Sequence, residues 1–170
     1  MPLLRRLRDQ TRETVNLGIV DNAEVVVLTQ VESREIMRAI TKVGGRAPMV
    51  NSGMGKAILA SYPDADVAAA IGRSELRKVT EKSITSISGM LADIAAIRKR
   101  GYALDDEEFV IGLRCAAAVV YNTQSEALCA ISISGLAMRV SDERLHVLGR
   151  LIAGAAEELT VMLGGQSPAK

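Results

Sequence analysis

Leu113-Arg-Cys-Ala-Ala-Ala-Val-Val-Tyr121, followed by Leu128-Cys-Ala-Ile-Ser-Ile-Ser-Gly135, is the stretch of this 170-residue chain that decides its fold. Two runs of β-branched and small residues flank a polar link, the pattern of a β-hairpin. Side chains alternate across a strand, so Leu113, Cys115, Ala117 and Val119 share one face, leaving Arg114, Ala116, Ala118 and Val120 on the other. On the partner strand Ser132 and Ser134 share a face, and Ile131 and Ile133 the opposite one. With Cys115 opposite Ser134, Ala117 meets Ser132, and the thiol and hydroxyls converge on one surface. The Ala/Ile surface, made of small side chains, suits the close approach of a helix. That helix is predicted downstream: Ser141-Asp-Glu opens it, and Leu145, Leu148, Ile152, Ala155, Leu159 and Met162 line one side before Gly164–Gly165. Residues 166–170 read as a frayed tail.

Working outward, Pro2–Glu13 reads as a short helix with Leu3, Leu4 and Leu7 on one side. Thr14–Val20 and Glu24–Gln30 flank the turn pair Asp21–Asn22 and predict a second hairpin. A third strand is expected over Glu35–Ile40, then a Gly/Pro-rich loop, Val43–Pro48. Asn51 and Ser52 are candidate caps for a helix to about Tyr62, and Pro63–Asp64 starts another through Ile71. Residues 74–87 show no period and read as loop. A helix capped by Ser86 or Ser88 follows, with Leu91, Ile94 and Ile97 on its apolar side. Arg98, Lys99 and Arg100 fill its last turn and Gly101 ends it. Tyr102–Asp105 is a short strand. Strands joined by hairpins, with helices before, between and after, predict an α+β domain on a six-stranded antiparallel sheet over residues 1–165.

Composition removes several function classes. With 21 basic and 20 acidic residues the net charge is +1, so no global field draws the chain to nucleic acid or an anionic membrane. One Phe, three Tyr and no Trp offer no platform on which bases could stack. Cys115 and Cys129 are too far apart for a CxxC pair, and His146 is the single histidine, so neither a metal site nor a cofactor is expected. The longest apolar run, Cys115–Tyr121, is far too short for a membrane span. Arginines at 5, 6, 8 and 12 leave no signal-peptide core. A cytoplasmic protein is expected.

Four places could carry chemistry. Asn51-Ser-Gly-Met-Gly-Lys-Ala57 ends in Gly-Lys, yet it has Val50 and Ala57 where a phosphate-binding loop needs Gly and Ser or Thr. What survives is a helix start whose free N–H groups can hold a small anion, against the plainer reading of an ordinary capped helix. Asp105-Asp-Glu-Glu108 reads first as a solvated turn, and Asp105, closing a strand, is best placed to turn inward. Cys115 reads as a small buried hydrophobe or a weak donor. Ser132 and Ser134 need partners, so they border a polar cavity or cap a loop. His146 reads as a surface or packing residue.

Together these stretches resemble the effector-binding domain of IclR-type bacterial transcription regulators. The resemblance runs from Pro2 to Gly165. It is carried by Thr11-Arg-Glu-Thr-Val-Asn-Leu17, by Gly45-Arg-Ala-Pro48 with Ser52-Gly-Met-Gly-Lys56, and by Gly101-Tyr-Ala-Leu-Asp-Asp-Glu-Glu108. Gly112-Leu-Arg-Cys115 and Ile131-Ser-Ile-Ser-Gly135 complete it. The second half is most similar to the branch that answers to glyoxylate and pyruvate. The resemblance implies a GAF-like sheet, a homodimer or dimer of dimers, and a winged helix-turn-helix elsewhere in the protein that binds duplex DNA. A piece of a longer regulator is therefore expected, with a stand-alone sensor as the alternative.

Carried over by position, the implied ligand contacts are the backbone amides of Gly53 and Met54, with Asp105, Cys115, Ser132 and Ser134. Ala39, Ala47 and Leu113 would form the pocket wall. The implied ligand is a small 2-oxo, 2-hydroxy or ureido acid. Departures accompany this: Val50 stands where many relatives have His, Gly53 and Met54 where Ala is usual, and Ala39 and Ala47 where the glyoxylate-responsive branch is bulkier. A reshaped pocket is expected. The leading function is a non-enzymatic sensor whose ligand shifts subunit arrangement and so DNA affinity. The rivals are an oligomerisation unit with a vestigial pocket, and an enzyme using Asp105 and Cys115. The enzyme reading lacks a base to activate the sulfur.

Overall fold

The computed structural model describes residues 2–39 and 42–168. Their order is α1 (Pro2–Thr11), β1 (Thr14–Asp21), β2 (Glu24–Val31), β3 (Arg46–Pro48), α2 (Gly53–Ala60), α3 (Asp64–Ser74), α4 (Ile87–Arg100), β4 (Ala103–Asp106), β5 (Leu113–Tyr121), β6 (Ala127–Leu136) and α5 (Asp142–Met162). The six strands form one antiparallel sheet in the order β3-β2-β1-β6-β5-β4. The fold is α+β, as the strand pattern predicts.

The central hairpin sets the register: Cys115 lies opposite Ser134 and Ala117 opposite Ser132. Alternation then divides the molecule into two cores. On one face Ala116, Ala118, Val120, Ile131 and Ile133 pack under α5 and α1, with Leu145, Leu148 and Ile152 above them. On the other face Val25, Val27, Ala103, Ala117 and Ala130 meet Met54, Ile58 and Leu59 of α2 and, behind it, Met90 and Ile94 of α4. Side chains of alternating face feed both layers because helices cover the sheet on each side.

Helix ends follow local chemistry. Ser86 caps α4 through the Gly89 N–H, and Gly101 closes it in the left-handed region at φ 84. Ser141 caps α5 through the Arg144 N–H. On α4 the buried stripe is Met90, Ile94 and Ile97, whereas Leu91, expected inside, is exposed. Met162, expected on the inner side of α5, is also exposed. The last turn of α5 instead buries Thr160, whose Oγ1 accepts the Tyr121 N–H at 3.0 Å, and leaves Met162 facing outward. Gln166 donates from its backbone N–H to the Asn122 carbonyl at 3.1 Å, tying the segment after α5 to the β5–β6 turn.

The third strand is not where the pattern put it. Within the expected strand, Glu35–Met37 are bends, residues 38–39 are irregular, and Ile40 lies outside the described residues. Ile36 is 96% exposed and Met37 58%, so no apolar face alternates there. The main chain is instead held by the α1–β1 junction: Ser33 Oγ donates to the Arg12 carbonyl at 2.6 Å, and Thr14 Oγ1 to that of Ala39 at 2.8 Å. The edge strand is Arg46–Pro48, inside the stretch expected as loop. Gly44, at φ 80, donates to the Val27 carbonyl at 2.7 Å and turns the chain back along β2.

Candidate functional site

A cavity of ≈270 Å³ opens between the inner face of the sheet, the start of α2 and the chain on either side of Leu113. Gly53, Met54, Asp105, Cys115, Ser132 and Ser134 all line it, as do Ala47 and Leu113. Ala39 does not: with Leu113 it borders a neighbouring shallow depression, because the segment before it runs outside the sheet. The expected wall residue is therefore displaced.

The first turn of α2 supplies donors. Ser52, rather than Asn51, is the cap, and its Oγ accepts the Gly55 N–H at 3.4 Å. The preceding N–H groups, of Gly53 and Met54, have no acceptor within the helix. Glycine brings this turn down onto the strands. A Cβ on Gly53 would stand 3.1 Å from Cys115 Sγ, and one on Gly55 only 2.2 Å from the Met49 carbonyl oxygen. Gly53 thus sets the helix-to-sheet spacing and Gly55 the fit of the helix against its own preceding turn, and neither needs a phosphate to account for it.

Asp105 lies within β4 opposite Cys115, one residue before the strand ends at Asp106, and is 5% exposed. Its Oδ1 accepts the Glu108 N–H at 2.8 Å. Burial, and then the nearby Glu108 charge, push its carboxyl up to about 7 against the opposing pull of the Glu108 N–H and Lys56. At neutral pH the group is poised to accept or to donate. Burial and the Asp105 charge push the Cys115 thiol up to about 12, although Ser134 and Ser132 moderate this. It remains a thiol, a weak donor and a poor nucleophile.

The rest of the acidic run is committed too. Asp106 pairs with Arg114 at 2.6 Å, and Glu107 with Lys82 at 2.8 Å. Glu108 meets Lys56 at 2.8 Å, and Lys56 also reaches Asp93 at 2.6 Å. This is no solvated turn. The Lys56 side chain is 1% exposed. Burial opposes its charge, but Glu108 and Asp93 outweigh that and hold its pKa above the ordinary range. Lys56 thereby pins the turn that carries Phe109 and Val110 into the cavity wall. His146 is exposed, with Nδ1 2.9 Å from the Tyr102 hydroxyl, away from the cavity.

The sequence reading missed Asn16. It stands opposite Ser132 on β1 and offers Nδ2 to both Ser132 Oγ and Ser134 Oγ at 3.3 Å. A signal was present: Asn16 is a lone amide between Val15 and Leu17, on the strand face opposite to theirs. Lys42 and Arg46 on the cavity wall were also passed over. Arg46 is tied to Asp21 at 2.7 Å and to Glu24 at 3.1 Å. Among the described residues no group of three or more His, Cys, Asp or Glu side chains could hold a metal ion, and no helix is long and apolar enough to cross a membrane.

Comparison with known proteins finds a family match over nearly the whole chain. Residues 1–161 match the model of the bacterial transcriptional regulator IclR C-terminal domain. The chain is 39% identical over 166 residues to the transcriptional repressor IclR of Escherichia coli K12, covering 96% of this chain and 61% of the repressor. It thus spans about three-fifths of that relative's length. The crystal structure of Thermotoga maritima IclR superposes with a TM-score of 0.90 at 29% identity, over 96% of this chain and 66% of that one. The inducer-binding domain of the Acinetobacter transcription factor PobR, a double mutant in complex with 3-hydroxybenzoic acid, superposes with a TM-score of 0.84 at 25% identity. The match covers 94% of each chain.

Proposed function

This chain belongs to the IclR family of bacterial transcription regulators, matching their C-terminal domain, and we propose that its cavity binds a small carboxylate metabolite as effector. The family is one of regulators and not of enzymes, in keeping with a Cys115 that stays protonated. One observation carries the reading. The free amides of α2, two serine hydroxyls, a thiol and a protonatable Asp105 converge on one cavity. Carboxylate oxygens accept from the Gly53 and Met54 N–H groups and from Ser132 and Ser134. Asp105 accepts from a proton-bearing group or, protonated, sits beside the anion without repelling it.

Volume bounds the ligand. A cavity of ≈270 Å³ lies at the lower end of the roughly 300–1,000 Å³ range of small-molecule pockets. An acid longer than glyoxylate fits such a space better than glyoxylate does. The PobR domain, with its hydroxybenzoic acid, supports a ligand of this size class. In the whole protein, binding shifts the arrangement of a dimer or dimer of dimers in the cytoplasm and alters DNA affinity of a winged helix-turn-helix. α1 and α3 are the candidate subunit contacts.

Calorimetry against 2-oxo, 2-hydroxy and ureido acids tests the site. Ser134→Ala should weaken a bound acid by about 1–2 kcal/mol while the fold is kept. Unchanged affinity in that variant would move the site elsewhere.

A further inference from the structure

We propose that Asn16 selects the effector's second functional group: beside its carboxylate, the ligand carries a hydroxyl or N–H that donates to Asn16 Oδ1. The inference rests on the carboxylate reading above and extends it from a class of anion to a class of bifunctional acid.

The sheet register is the starting point. Asn16 sits directly across from Ser132, and Ser134 is the next residue on that face of β6. Its Nδ2 lies 3.3 Å from both hydroxyl oxygens. Each hydroxyl has one proton to give and two lone pairs to fill. When Ser132 and Ser134 donate upward to a carboxylate, they accept from below, and the Asn16 amide meets that need with its two N–H bonds. The serines' task therefore fixes which way the amide faces.

That orientation leaves the other end unserved. Asn16 is 2% exposed, and its Oδ1 is buried with no partner among the described residues. Of the buried side-chain polar atoms in that condition, it is the one whose residue lines the cavity. A buried acceptor without a donor is costly, and turning the amide over would draw the serine protons to Oδ1 and away from the carboxylate. A ligand donor removes the penalty. A site built to receive a hydrogen bond rejects an analogue that lacks the donor, since its own polar group is then stranded.

Room for that group depends on Met54. A Cβ on Gly18 would stand 3.2 Å from the Met54 methyl, so the thioether lies over β1, two residues from Asn16 on the same face. Methionine is unbranched and turns aside readily. The donor-bearing end of the ligand enters where Met54 now lies.

Benzoate and 3-hydroxybenzoate, propanoate and lactate form two probe pairs that differ by one hydroxyl. Calorimetry on wild-type protein should favour the hydroxylated member of at least one pair by on the order of tenfold. Asn16→Ala should abolish that preference. Asn16→Asp, which keeps an acceptor oxygen at the same place, should retain it while weakening both members through charge repulsion. Wild-type binding that is equal with and without the hydroxyl in both pairs, or a preference that survives in Asn16→Ala, overturns the role of Asn16 and leaves the carboxylate reading standing. Failure of all four acids and of the wider panel to bind overturns the carboxylate reading, and this inference with it. If Asn16→Ala does not fold, a crystal structure of the wild-type complex decides. The hydroxyl must lie within hydrogen-bond distance of Asn16 Oδ1, and its placement elsewhere refutes the proposal.

Discussion

Replacing Asp105 by Asn changes a single terminal group and removes a single titration. The amide oxygen can still accept the Glu108 N–H that Asp105 Oδ1 accepts at 2.8 Å, so the turn is kept. In the unfolded chain Asp105 ionises near 3.8, whereas in the fold its carboxyl is pushed up to about 7 by burial and by Glu108. Between those values the folded protein keeps a proton that the unfolded chain releases. Stability therefore falls as pH rises through this window and levels off above about 7. At about 1.4 kcal/mol per pH unit the full interval corresponds to about 4 kcal/mol, of which about 2–3 kcal/mol falls between pH 5 and 8. Asn carries no such dependence. In urea denaturation the Asp105→Asn variant should gain about 2–3 kcal/mol on wild type from pH 5 to pH 8, with unchanged m-values. Groups that do not interact with Asp105 cancel in that difference. Parallel pH–stability curves for the two proteins would refute the assignment of a raised pKa to Asp105.

Two further outcomes follow from the same site. Affinity for an acid that is ionised throughout should fall by up to about tenfold from pH 6 to pH 8 as Asp105 loses its proton, and Asp105→Asn should flatten the profile. Calorimetry at the two pH values reads this, and a wild-type affinity independent of pH would count against Asp105 facing the anion. Lys56→Met leaves Glu108 and Asp93 without their buried cation and should cost about 3–5 kcal/mol in urea denaturation, with Glu108→Gln restoring part of it. A loss below about 1 kcal/mol would mean that the buried ion network contributes little.

The central hairpin was legible in full. Period-2 alternation is a local property, so Leu113–Tyr121 and Leu128–Gly135 disclosed both faces, and the pairing of Cys115 with Ser134 assumed there is the observed register. Helix ends were legible for the same reason. Ser52, Ser86 and Ser141 cap, and Gly101 stops, through bonds spanning three or four residues. The inward turn of Asp105 could be marked because the sequence pattern ends its strand there, although β4 runs one residue further, to Asp106.

What remained hidden depends on residues distant in sequence. A three-residue edge strand has no periodicity to show. Arg46–Pro48 pairs with β2 because Gly44 turns the chain there, while Glu35–Met37 is drawn off by Ser33 and Thr14. Nothing local marks Lys56 as buried: Asp93, 37 residues away, and Glu108, 52 residues away, are brought to it by the fold. Asn16 meets Ser132 and Ser134 across 116 and 118 residues. The sequence by itself determined the central hairpin, its two faces and the side chains that Cys115, Ser132 and Ser134 place on one of them. The tertiary structure alone decided which wall closes the cavity, which charges are buried and which amide was left with a free acceptor. Burial and pairing are properties of neighbours, and here the neighbours that matter come from other elements of the chain.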